Sequence, residues 1–244
     1  MGKIVAIGGG DLRKKSTLPI DLEIIKLTGK TKPKFLFVPT ASSDSPVYID
    51  IMCKYYQELG CETDTLLLLQ ANLDLVAITA QIKAADIIYV GGGNTLKMMR
   101  RWRKLGVDKL LIQAYQAGTV MCGVSAGSIC WFAGGHSDSL SFYHPDDWQY
   151  IRVTGLGLIP GTHCPHYDSD TLGVKRADSF QAMMSKRRDT GIAIDDNCAI
   201  IFIDDQYRVI SINNSQAYVL RKSSNQLEIK ALPASKNWHK LSDL

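Results

Sequence analysis

The chain alternates short apolar runs with segments of helical spacing. Lys3–Ile7, Lys34–Val38, Thr65–Leu69 and Asp86–Val90 are apolar stretches of strand length, the second ended by Pro39. Between them, Asp21–Leu27, Val47–Leu59 and Leu73–Ala84 carry helical spacing, with Gly60 a stop signal after the second and Ile78 and Ile82 four apart on one face of the third. Two more helices are predicted over Leu96–Lys104 and Val107–Ala117, before the apolar run that ends at Val124. Such alternation predicts a parallel sheet with helices on both faces, with functional loops at the carboxyl ends of its strands.

Beyond residue 130 the pattern loosens. Gly134–Ser139 and Gly161–Asp168 read as loops, Tyr150–Pro160 contains a short strand, and Gly173–Met184 is helical. Gly191–Asp196 is a buried strand ending in two carboxylates. Ala199–Ile203, Arg208–Ile212, Ala217–Leu220 and Leu227–Ile229 form C-terminal β-hairpins of the same domain. No linker, repeat or low-complexity segment divides residues 1–244, so one domain is expected.

Composition adds limits. The 45% hydrophobic and 21% charged fractions are those of a globular protein with a large core, and a net charge of +4 without clustering excludes a nucleic-acid or membrane-surface specialist. Six cysteines make no C-x-x-C pair and no zinc-like array. Residues 1–8 read as a first strand rather than a secretion signal, and no apolar run approaches the roughly 18 residues of a membrane span. Reduced thiols in the cytoplasm are therefore expected, and a homodimer is compatible with the sequence.

The chemistry centres on Gly123-Val124-Ser125-Ala126-Gly127, the G-x-S-x-G pattern of a strand–turn–helix nucleophile elbow. Its flanking glycines let strand and helix pass closely, and the Ala126 N–H points where an oxyanion forms. Gly91-Gly92-Gly93-Asn94-Thr95, on a neighbouring strand, offers bare amides for a second oxyanion donor; it lacks the G-K-[S/T] ending of a phosphate loop. Gly8-Gly9-Gly10 reads as a sharp turn or a close backbone approach, since Arg13 stands where a dinucleotide motif needs glycine. Lys97, Arg100, Arg101, Arg103 and Lys104 read as a solvated helix face, and the aromatic and acidic stretch 140–148 as a substrate wall. In Gly161–Asp168, His163 and His166 flank Pro165, a spacing better suited to supplying a general base for Ser125 than to holding a metal. The resulting order is Ser125, His166, then Asp195 or Asp196, which differs from that of the α/β-hydrolases, chymotrypsin and subtilisin.

Taken together, Val90–Thr95, Gly123–Gly127 and Pro165-His166-Tyr167, with weaker support from Asp195-Asp196, resemble the peptidase E (aspartyl dipeptidase) and cyanophycinase family of serine peptidases over about residues 3–218. The resemblance implies an α/β three-layer sandwich with a mostly parallel central sheet, like the class I glutamine amidotransferases, and neither metal nor cofactor. It implies Ser125 as nucleophile, His166 as base, and Gly92 and Ala126 as oxyanion donors. The third member falls at Asp196, with Asp195 as the alternative, where the family usually has glutamate. Arg176 falls close to the arginine that reads a substrate aspartate side chain, and Asp138 close to the acid that reads the free α-amine. The implied activity is hydrolysis of short peptides, dipeptides with N-terminal aspartate foremost. Cleavage of β-aspartyl-arginine links, with acids 138, 146 and 147 receiving the arginine, and a non-catalytic binding role are the alternatives.

Overall fold

The computed structural model describes residues 2–224 and 226–244. The strands are β1 (Lys3–Ile7), β2 (Lys34–Val38), β3 (Glu62–Thr65), β4 (Ile87–Val90), β5 (Val120–Val124), β6 (Phe132–Ser137), β7 (Ile151–Val153), β8 (Ile159–Cys164), β9 (Asp170–Thr171), β10 (Val174–Lys175), β11 (Gly191–Ile194), β12 (Cys198–Ile203), β13 (Gln206–Ser211), β14 (Ala217–Ser223), β15 (Gln226–Leu232) and β16 (His239–Lys240). The helices are α1 (Leu18–Leu27), α2 (Pro46–Glu58), α3 (Leu75–Ala84), α4 (Thr95–Leu105), α5 (Val107–Gln116), α6 (Ala126–Ile129) and α7 (Arg176–Met184). No helix among the described residues is long and apolar enough to cross a membrane.

The large sheet runs β16-β13-β12-β1-β5-β4-β2-β3. Its five strands from β1 to β3 are mutually parallel, and β12 joins the β1 edge antiparallel. Alternate residues on each strand serve opposite faces, as the pleat requires. Val5, Ile7, Phe35, Phe37 and Cys122 meet Ile20 and Ile24 of α1 and Met52, Tyr55 and Tyr56 of α2. Ile4, Ala6, Leu36, Val38 and Met121 face α3, α4, α5 and a second layer of strands. Buried Asp21 fastens the first pair of helices: its carboxylate accepts from the Tyr55, Tyr56 and Thr17 hydroxyls at 2.8–2.9 Å. Burial raises its pKa, against the pull of these three donors.

Strands β15-β14-β11-β8-β6-β7 form a second, six-stranded sheet over one half of the first. Helix α7 covers its outer side through Phe180 and Met184, against Cys164, Ala193 and Leu220. The mostly parallel α/β architecture is thus present, and the C-terminal hairpins divide between the sheets: β12–β13 extends the first and β14–β15 the second.

Four local expectations are corrected. The third strand is Glu62–Thr65 rather than Thr65–Leu69, because it pairs in register with Lys34–Phe37; Leu66 and Leu68 lie past its end and enter the core. Gly134–Ser139 is no loop, since residues 134–137 lie in β6. Glycine is required there because a side chain at Gly135 would meet Ile129 and the His163 carbonyl. Gly161–Cys164 likewise belongs to β8. The basic face of α4 is only partly solvated: Arg101 donates to the Leu68 carbonyl at 2.6 Å and Arg103 to the Thr154 carbonyl at 2.7 Å, tying two loops to the helix.

Candidate active site

Strand β5 ends at the elbow foreseen in the sequence. Ser125 has φ 57° and ψ −117°, a conformation rare for a residue with a side chain. What imposes it is crowding: a Cβ at Gly123 would strike the Gly127 carbonyl, and one at Gly127 the Val90 carbonyl. The Ser125 amide donates to the Ile7 carbonyl at the end of β1, at 3.2 Å.

The next carbonyls of the same strand end position the other partners. The His166 amide donates to Gly8 (3.2 Å) and the Asn197 amide to Gly9 (2.9 Å). His166 has φ 51°, and its Nδ1 hydrogen bonds Asp196 Oδ1 at 2.5 Å. Ser169 Oγ donates to Asp196 Oδ2 at 3.3 Å, and the Asp196 amide donates to Asp168 Oδ1 at 2.9 Å. Burial works against the Asp196 charge, yet the His166 hydrogen bond and charge, Ser169 and the Arg176 charge hold its carboxyl below the usual range. Strand β11 ends at Ile194, short of both acids, and Asp195 has other partners: Oδ2 accepts from the Gln216 amide at 2.9 Å, and Oδ1 is buried without a partner among the described residues. Burial, then the charges of Asp168 and Asp196, push it up to about 6. Of the two alternatives, Asp196 is the one that reaches the histidine. No hydrogen bond joins Ser125 Oγ to His166 among the described residues, and such contacts commonly tighten only when substrate is bound.

Gly92 lies beside Ser125; a Cβ there would come within 3.3 Å of the Ser125 Cβ. Its loop is held by Gly91 N–H to the Val38 carbonyl (3.1 Å) and Asn94 N–H to the Ala41 carbonyl (2.9 Å). The Asn94 side chain caps α4 through the Lys97 amide and donates to the Ser139 carbonyl at 3.2 Å, linking this loop to the segment after β6. Ala126, buried, opens the short helix α6, so its amide lies at the first helical position behind the serine.

Asp138 and Arg176 meet each other. Arg176 Nη2 donates to Asp138 Oδ2 at 2.5 Å and to Thr171 Oγ1 at 3.0 Å, its guanidinium lies 5.2 Å from the Tyr150 ring centroid, and it retains only 4% exposure. Its Nη1 is buried with no partner. The Arg176 amide donates to the Ser169 carbonyl (3.1 Å), so the ion pair is tied to the residue that bonds Asp196.

Two buried histidines stand nearby without a proton to trade. His163 Nδ1 donates to the Ile192 carbonyl (2.9 Å) and its Nε2 meets Ser128 Oγ (2.8 Å), fastening β8 to β11 and α6. His136 meets Ser179 Oγ through Nε2 (2.9 Å) and stacks on Tyr150. Burial first, aided by the Arg176 charge, lowers both to about 3, so they are neutral. Sequence reasoning did not find Gly9, Ser169 or Thr171. For Gly9 the signal was present in the Gly8–Gly10 run: a side chain at Gly9 would overlap both the His166 ring and the Asp196 carboxylate.

Comparison with known proteins bears on this geometry. The sequence profile of peptidase family S51 matches residues 4–210. The uncharacterized peptidase YgaJ of Bacillus subtilis (strain 168) is 34% identical over 235 residues, covering 96% of this chain and 97% of its own. Among solved structures, a peptidase from an acI-B1 actinobacterium superposes with a TM-score of 0.74 at 18% identity, over 98% of this chain and 97% of that one. A putative peptidase E protein from Listeria monocytogenes EGD-e gives 0.59 at 20% identity, over 96% and 100%. At these identities the structures show the shared fold.

Two predictions arise from the buried groups. Gly9→Ala displaces the His166–Asp196 pair, so labelling of Ser125 by a fluorophosphonate is expected to slow at least about tenfold while the far-UV circular dichroism is retained; unchanged labelling excludes the packing role given to Gly9. Asp195 binds a proton in the folded protein at pH values where the unfolded chain has lost it. Its contribution to stability therefore falls as pH rises from about 4 to about 6. Asp195→Asn, which keeps an acceptor for Gln216, is expected to remove that contribution and to stabilise the protein at pH 8 by up to about 3 kcal/mol relative to its effect at about pH 4, read from urea unfolding at both pH values.

Proposed function

The chain belongs to peptidase family S51, and from that premise we propose that it is a serine peptidase cleaving short peptides through an acyl-enzyme on Ser125. Dipeptides with an N-terminal aspartate are its foremost substrates. The observation that carries the reading is the placement of Ser125 and His166 on the adjacent carbonyls Ile7 and Gly8, with Asp196 bonded to the histidine.

In this mechanism Ser125 Oγ attacks the scissile carbonyl as His166 Nε2 takes its proton. Asp196 accepts from Nδ1–H, fixes the tautomer that leaves Nε2 free, and stabilises the imidazolium that forms. Its carboxyl lies below its usual range, so it remains charged throughout the working pH of a histidine base. Aspartate is one methylene shorter than the family's usual glutamate, and the absence of a side chain at Gly9 lets it reach. The Gly92 and Ala126 amides bind the tetrahedral oxyanion, each well-placed donor lowering the barrier by about 3–4 kcal/mol. His166 then protonates the leaving amine, and water repeats the cycle on the ester.

For the N-terminal residue, the support is the Arg176–Asp138 pair. An aspartate at a peptide N-terminus carries one carboxylate and one ammonium, the complement of that pair, and Arg176 Nη1 is a donor still to be satisfied. Asp138 is already engaged with Arg176, which leaves the exposed Asp146 and Asp147 for any arginine branch of a β-aspartyl-arginine substrate.

Ser125→Ala is expected to lower kcat by about a thousandfold or more with the unfolding transition unchanged; turnover at the wild-type rate excludes Ser125 as nucleophile, and a wild-type protein that turns over no peptide and is not labelled at Ser125 favours a binding protein. Arg176→Gln is expected to raise KM for Asp-Leu about tenfold more than for Leu-Leu. Equal changes remove Arg176 from substrate recognition, and faster wild-type cleavage of β-Asp-Arg than of Asp-Leu transfers the assignment to that substrate class.

A further inference from the structure

The carboxyl edge of the large sheet has two sides at Ser125. Asp138 and Arg176 come from the segment after β6 and the start of α7, which belong with the second sheet. On the opposite face, where α1 and α2 pack, lies a cavity of about 540 Å³ bounded by Gly10, Asp11, Leu12, Arg13, Ser45, Val47, Tyr48 and Ile51. That volume suits an amino-acid-sized group.

The cavity borders both arms of the candidate machinery. Gly10 directly follows Gly9, the bed of the His166–Asp196 pair. The Tyr48 ring packs on Gly91, where an added Cβ would lie 2.9 Å from its Cε1. Burial pushes the Tyr48 phenol up to about 12. Leu12, Val47, Tyr48 and Ile51 give the cavity apolar walls, and Arg13 gives it a cation. Asp11, the acid on its rim, is engaged by Lys14 at 3.6 Å and by the Arg13 and Lys14 amides. Among the described residues no carboxylate forms an ion pair with the Arg13 guanidinium, which is exposed.

We infer that this cavity is the subsite for the leaving residue of the substrate, and that Arg13 pairs with that residue's free C-terminal carboxylate. The inference rests on the peptidase reading above. A peptide whose N-terminal residue faces Arg176 and Asp138 passes its scissile bond over Ser125 and emerges on the α1–α2 side, where its second residue finds apolar walls and one unpaired cation. A dipeptide ends there with a carboxylate; an amidated dipeptide presents no charge to Arg13. The subsite thus selects for short free peptides by charge and for an apolar second residue by contact.

The test compares Asp-Leu with Asp-Leu amide on the wild-type protein, Arg13→Ala and Arg13→Lys. Arg13→Ala is expected to raise KM for the free acid about tenfold and at least fivefold more than for the amide, with Arg13→Lys restoring most of the difference. An equal change for acid and amide, or none for the acid, overturns the assignment. Calorimetric binding of Asp-Leu to the Ser125→Ala protein needs no turnover and separates this inference from the peptidase reading. Adding Arg13→Ala is expected to weaken that binding about tenfold; unchanged affinity, or no binding of the free acid at all, overturns the subsite. If the wild-type protein hydrolyses neither peptide, the peptidase reading falls while the binding comparison still decides the role of Arg13.

Discussion

The end of β1 is the constraint on which the candidate site depends. Three consecutive carbonyls, Ile7, Gly8 and Gly9, accept the amides of Ser125, His166 and Asn197. These donors are far apart in the chain and belong to three different strand ends. One rigid backbone segment therefore sets the spacing of serine, histidine and the residue after the acid. Backbone amides are obligatory donors, so this alignment also satisfies groups that would otherwise be buried unpaired. Beta-1 can act this way because it lies inside the large sheet, flanked by β5 and β12, and cannot shift without disturbing both.

Glycines set how closely the chains approach at this edge. Gly123 and Gly127 let the elbow fold against β4, Gly92 lies beside Ser125, and Gly9 admits the histidine–aspartate pair. The backbone strain stored at Ser125 and His166, both with φ near 50–60°, is borne by these packed surroundings.

Electrostatics then sorts chemically similar side chains into different roles. Asp195 and Asp196 are neighbours, yet burial without a full set of partners raises one, whereas the histidine, Ser169 and the Arg176 charge hold the other down. His136 and His163 are kept neutral by burial and serve as hydrogen-bonding struts, whereas His166 is partly exposed and pairs with Asp196. Cys164, next to His136, is kept a thiol, because burial pushes it up to about 12.

The sequence alone was sufficient for what depends on local pattern. The alternation of apolar runs and helical segments yields the parallel strands, since burial on both faces demands continuous apolar stretches. The small residues around Ser125 announce a turn that only they permit. Motif order separates this elbow from that of the α/β-hydrolases. Tertiary structure decided what depends on which segments meet. A Gly-rich stretch such as 134–137 becomes a strand only because neighbours supply its hydrogen bonds, and the second sheet that it joins has no local signature. Asp195 and Asp196 follow the end of β11, and only the folded chain gives them different partners: the Gln216 amide for Asp195 and the His166 ring for Asp196. Arg176 and Asp138, each legible as a charge, become a buried pair only when α7 is laid beside the end of β6. Arg13, an unremarkable surface cation in the sequence, is set by the folded chain at a cavity that it shares with Gly10 and Tyr48.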